Sequence, residues 1–145
     1  MKTRVNVQAT EPAAFKAMFG LEAYLKTSKL TPIQLHLIKI RASQINGCAF
    51  CIDMHTKEAL KDGETQQRIF LLNAWEETTL YTEEERVILA ITEEVTLITK
   101  AGLTDKTYSA ALAMFDENFI IQIIMAVVAI NGWNRIAIST HMPVQ

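Results

Sequence analysis

The sequence predicts an all-α fold, a single-domain bundle of six or seven helices, and three observations lead there. Helix-start residues stand ahead of apolar-periodic segments, as in Thr31-Pro32 and Thr82-Glu83-Glu84-Glu85. Turn and C-terminal signals fall where those segments end, at Asn46-Gly47, Gly63 and Gly102. No segment alternates polar and apolar residues between hairpin turns, so no sheet is expected. At 145 residues the chain fits one domain, 1–145, and can bury a core without help from disulfides or metal.

The elements follow in order. Thr10 before Glu11-Pro12 opens a helix to about residue 27, with Gly20 its weak point. Thr31-Pro32 opens a second, carrying Ile33, Leu37, Ile40 and Ile45 at helical spacing. After Asn46-Gly47 a third helix runs from 48 to about 61, and Thr65 caps a fourth through Trp75. The capping box at Thr82 starts a fifth, to about residue 100, its acidic first turn suiting the helix dipole. Thr104-Asp105 starts a sixth to about 115, and Asp116 the last, to about 138.

Residues 119–130 are apolar around nearly the whole helix, broken only by Gln122. Such a helix is covered on all sides. A small bundle rarely encloses one helix completely, so subunit contacts are expected to complete the cover; a central core helix in a monomer is the alternative. The stretch is too short for a bilayer span, which takes about 20 apolar residues.

Composition excludes several classes. Apolar residues make up 50% and charged residues 21%, as in ordinary globular domains. A net charge of −2, with Lys and Arg scattered, gives no footprint for nucleic acid. The first residues, MKTRVNVQATEPAAF, lack the apolar run of a secretory signal, so a cytoplasmic, reducing location is expected. No Gly-rich phosphate loop appears, and no nucleotide, flavin or haem cofactor is expected.

In a reducing compartment, two cysteines three positions apart point to catalysis or metal binding rather than a structural crosslink. Cys48, Cys51 and His55 advance by three and then four residues, so on a helix they share one stripe. Helix-start N–H groups and the dipole favour a thiolate at Cys48, while the imidazole one turn away favours Cys51. A second thiol captures an oxidised first one as a disulfide before oxidation becomes irreversible. Zinc is the rival reading: two thiolates and an imidazole are good ligands, with His36 or His141 as the fourth, though neither has a standard spacing. A pair of inert core cysteines is the blandest reading.

Residues 41–57, with Asn46-Gly47-Cys48-Ala49-Phe50-Cys51-Ile52-Asp53-Met54-His55 at their centre, resemble the alkylhydroperoxidase D-like branch of the carboxymuconolactone decarboxylase family. The likeness continues through Leu71-Leu72-Asn73-Ala74-Trp75 and resumes at Asn131-Gly132-Trp133-Asn134-Arg135-Ile136-Ala137-Ile138. The resemblance implies an all-α fold, a homo-oligomer such as a trimer or hexamer, and hydroperoxide reduction driven by an external dithiol reductant or reductant protein. It gives attack to Cys51, proton handling to His55 and resolution to Cys48. The family usually carries a Glu twelve residues before the first Cys as part of a proton relay; here that position is His36. The relay is therefore expected to run differently, with His36 either a relay member or simply packed on its helix. The decarboxylases themselves generally lack the Cys pair, so Cys48 and Cys51 argue against that activity. Trp75 and Trp133 read as packing, and Asp53 and Glu58, on other faces of the Cys helix, as facing solvent or salt-bridge partners.

Overall fold

The computed structural model describes residues 2–144, and it is all-helical. Asn6 accepts a hydrogen bond from the Ala9 N–H and starts a single turn, α1 (Val7–Thr10), ahead of the expected first helix. In α2 (Pro12–Leu25) Pro12 occupies the first turn, Glu11 rather than Thr10 is the N-cap residue, and Gly20 does not interrupt the helix. Thr31 and Gln34 close a reciprocal capping box at the start of α3 (Pro32–Asn46). Beyond Gly47 comes α4 (Ala49–Lys61), and Thr65 caps α5 (Gln66–Leu71).

The expected fourth helix divides. After α5 the chain tightens into a 3-10 helix, Leu72–Glu77, with Ala74 outside helical geometry at φ −121°, ψ 29°. Arg86 reaches across to donate to the carbonyls of Trp75 and Thr78, taking acceptors that a continuing helix would use. Thr82 and Glu85 cap α6 (Glu83–Thr96), which stops short of the expected residue 100. There the Glu94 carboxylate accepts from the Thr104 N–H and hydroxyl, drawing the chain back toward α7 (Asp105–Leu112). Asp116 caps α8 (Glu117–Thr140). Among the described residues there are eight α-helices, one more than the upper expectation of seven, plus the 3-10 helix.

Helix α3 lies at the centre, packed against α4, α6 and α8. One of its faces, with Ile38 and Ala42, joins Ile88 and Ile91 of α6 and Ile123, Val127 and Ile130 of α8, and this cluster encloses Cys48 and Cys51. Another face, with Leu37 and Ile40, meets Leu72, Trp75 and Leu89. Full burial of such a side chain stabilises by roughly 1.5–3 kcal/mol, more than an exposed ion pair typically does. Apolar packing therefore holds the frame of the thiol pair.

The free chain does not cover α8 completely. Ile123, Ala126, Val127 and Ile130 are fully buried, but Ile121, Val128 and Ile138 stay 53%, 45% and 44% exposed. Ile121 and Val128, seven residues apart on nearly the same face, are left facing outward.

Candidate active site

The site begins with the break between α3 and α4. Gly47 closes α3 in the left-handed region at φ 69°, where a residue without a Cβ avoids the steric penalty. The Cys48 N–H then donates back to Ser43 O at 3.0 Å. Cys48 becomes the N-cap residue of α4 in extended geometry, and Cys51 is the third residue of that helix. The two sulfurs, both free thiols, lie 2.8 Å apart and are each 1% exposed.

A row of amides supports them. Asn46 donates to Asn131 Oδ1 at 3.0 Å and to Asn134 Oδ1 at 2.8 Å. With its oxygen engaged, Asn134 turns its amide nitrogen to Ser43 Oγ at 2.9 Å, and this side chain lowers the pKa of both thiols. Asn131 is anchored in turn by donating to Thr96 Oγ1 and Val127 O. Ser43 and Asn134 did not emerge as site residues from the sequence. Their signal is that they are polar positions on the inner faces of two apolar helices, where buried polar groups need partners.

The thiols differ in acidity. A hydrogen bond from Cys51 is the main cause that brings Cys48 from its ordinary 9.0 to about 7, against an opposing push from burial. The Cys51 backbone N–H and the Asn134 amide lower it further. Cys51 is pushed up, first by its hydrogen bond with Cys48 and then by burial and the charge on Cys48. One proton is thus shared by the pair, and it resides on Cys51 when Cys48 ionises. The Cys51 thiol, more than the start of the helix, is what favours ionisation at Cys48.

His55 is 4% exposed, and its Nδ1 lies 2.9 Å from Glu58 Oε2. A carboxylate accepts, so Nδ1 carries the proton and Nε2 keeps the lone pair. Burial lowers the His55 pKa most, followed by the charge of Lys39, while Glu58 opposes both. The ring is therefore neutral near pH 7 and able to accept a proton. Glu58 does not simply face solvent: on α4 it lies three residues beyond His55, close enough for their side chains to meet. Asp53 does pair with a surface cation, Lys57, at 2.8 Å.

His36 comes to the same place from α3. Its Nε2 lies 2.7 Å from Asp62 Oδ2, its Nδ1 is buried without a hydrogen-bond partner, and one of its nitrogens is within 4.8 Å of donor atoms of His55 and Glu58. The position that usually holds a relay carboxylate thus holds an imidazole with a carboxylate of its own. Beside it Lys39 pairs with Glu22 at 2.7 Å, and Glu22 also accepts from Trp133 Nε1 at 3.1 Å. Trp75 Nε1 donates to Glu93 at 2.7 Å, so both tryptophans pack and anchor carboxylates. His141 caps the C-terminus of α8 and lies near Lys2 O, outside this cluster. A cleft of about 840 Å³ opens on another face of α4 and is lined by residues including Arg41, Ile52, Thr56 and Phe70, with no thiol or imidazole on its wall.

Known proteins align with this arrangement along most of the chain. The Carboxymuconolactone decarboxylase family matches over residues 12–94. YdfG, an uncharacterised protein of Bacillus subtilis (strain 168), is 42% identical over 139 residues, which is 96% of this chain and 95% of that protein. A protein of unknown function from Agrobacterium tumefaciens, suggested to be the antioxidant defence protein AhpD, superimposes with a TM-score of 0.96 at 44% identity, covering 99% of each chain. The debrominase Bmp8, solved with 2,3,4-tribromopyrrole, gives a TM-score of 0.84 at 16% identity over 95% of this chain and 74% of its own, a likeness of fold alone. The chain belongs to the carboxymuconolactone decarboxylase family, in its alkylhydroperoxidase D-like branch.

Proposed function

We propose that the protein reduces hydroperoxides through a dithiol–disulfide cycle at Cys48 and Cys51. The supporting observation is the 2.8 Å sulfur pair holding a thiolate of pKa about 7 on the helix that also carries neutral His55. Neutral His55 takes the Cys51 proton as that sulfur attacks, so the resting order of ionisation does not fix the order of attack. Cys51, one turn from His55, attacks the distal peroxide oxygen. The O–O bond breaks, protonated His55 returns its proton to the alkoxide, which leaves as an alcohol, and Cys51 becomes a sulfenic acid. Cys48, the more acidic thiol, attacks that sulfur; a disulfide forms and water leaves. An external dithiol reductant, or a reductant protein, restores both thiols by exchange.

The exposed apolar side chains of α8 support a homo-oligomer, and the resemblance makes a trimer or hexamer the form proposed. Burial of both sulfurs favours a second reading, a redox-responsive subunit that oxidises once and slowly. A sulfenic-acid probe tests the division of labour. Cys48→Ser treated with peroxide should be labelled at Cys51, and Cys51→Ser should label weakly. Equal labelling of both variants overturns the assignment of attack to Cys51.

A further inference from the structure

We propose that His36, His55 and Glu58 form a binding site for one divalent transition-metal ion, with zinc the best fit. Each residue offers one donor atom, and the three atoms all lie within 4.8 Å of one another. Tetrahedral zinc with bonds of about 2.0–2.1 Å to nitrogen and oxygen places neighbouring donors roughly 3.3–3.5 Å apart. The widest permitted separation therefore has to close by little more than an ångström. Glu58 can supply that movement, because its side chain is 48% exposed while those of His36 and His55 are 11% and 6% exposed. The same exposure gives the ion a route in from solvent.

Asp62 provides the second observation. Its carboxylate lies 2.7 Å from His36 Nε2, which fixes that nitrogen as the protonated one and leaves a lone pair on Nδ1. This Nδ1 is buried and accepts no hydrogen bond. A histidine that ligates a metal through one nitrogen commonly donates from the other to a carboxylate, and the His36–Asp62 pair already has that form. Between His55 Nδ1 and Glu58 Oε2, 2.9 Å apart, lies the proton that an ion would displace, so binding releases a proton. Two carboxylates, Glu58 and Asp62, balance the charge of a divalent ion.

This donor set differs from a thiolate site. Neither Cys48 nor Cys51 belongs to the group, which is two imidazoles and one carboxylate with a fourth position open to water. Binding itself requires no thiol chemistry. If the peroxide reading above holds, metal loading also occupies His55 and slows the reaction that depends on it.

Titration of chelator-stripped, full-length protein with Zn²⁺, and with Co²⁺ as a spectroscopic probe, tests the site. One ion should bind per chain, and the Cys48→Ser/Cys51→Ser double variant should bind it as tightly as the wild type. The Co²⁺ spectrum should show visible bands of nitrogen and oxygen ligation without a thiolate-to-cobalt charge-transfer band. His36→Gln and Glu58→Gln, with helicity checked by circular dichroism, should weaken binding at least tenfold, and Asp62→Asn by about 10–100-fold. Absence of saturable binding overturns the site. So does binding that survives in His36→Gln and Glu58→Gln but is lost with the cysteines. A protein inert to peroxide that still binds one ion contradicts the function proposed above and leaves this site standing.

Discussion

Glu58 accepts a hydrogen bond from His55 Nδ1 at 2.9 Å and so holds the imidazole with its Nε2 lone pair free. The family resemblance places an orienting carboxylate at the position of His36; in this chain the carboxylate lies on the thiol helix itself. Removing it should loosen the base without unfolding the protein, since the Glu58 side chain is 48% exposed. We expect Glu58→Ala to slow peroxide oxidation of the thiols about 3- to 10-fold, the size of effect suited to a partly exposed partner. His55→Ala should cost more, roughly 100-fold or above, as loss of a general base does. Stopped-flow oxidation of the reduced protein measures both. An unchanged rate in His55→Ala would remove the imidazole from the chemistry.

Ionisation of the thiol pair should follow Cys48. Its pKa is lowered to about 7, so the thiolate fraction should fall about tenfold per pH unit well below 7 and level off above 8. Cys51→Ala removes the largest lowering interaction and should move the inflection up toward 9.0. Asn134→Ala should move it the same way by less, the amide being the weakest of these influences. Ultraviolet absorbance of the thiolate, titrated against pH, reads all three. An inflection near 9.0 in the wild type would contradict the shared-proton description.

The outward apolar side chains of α8 should form an interface. Light scattering should give a mass at a multiple of 16.3 kDa, corresponding to a trimer or hexamer. Placing charge at Ile121 and Val128, which are 53% and 45% exposed in the single chain, should dissociate the assembly while preserving the helices. A wild-type mass near 16.3 kDa would mean that nothing covers these side chains.

Local chemistry was legible in the sequence, and contacts between distant segments were not. Thr31, Thr65, Thr82, Thr104 and Asp116 each cap the helix expected of them, because a cap bonds to an amide three residues on. The 3-10 turn has no local signal, because Arg86, on the next helix, donates to the carbonyls of Trp75 and Thr78 at its end. Cys48, Cys51 and His55 were readable from spacing; Glu58 was placed on another face, although it stands three residues from His55 on the same helix and meets it at 2.9 Å. Asp62 reaches His36 across 26 positions, and Asn134 reaches Ser43 across 91. Such pairs exist only once α4 and α8 have docked on α3. His36 shows the limit of reading by resemblance: the substituted position left the relay open, and the carboxylates near it, Glu58 and Asp62, come from α4 and its C-cap.

The central claim is that two thiols turn over peroxide as one unit. Hydroperoxide consumption should be followed with a dithiol reductant in excess, for wild type, Cys48→Ser and Cys51→Ser. The account predicts multiple turnovers in the wild type with an intramolecular Cys48–Cys51 disulfide trapped by acid quench, and at least a hundredfold loss in each variant, on the order of what removing a catalytic group costs. Full turnover in either single variant, or both thiols still free after peroxide treatment of the wild type, would contradict it.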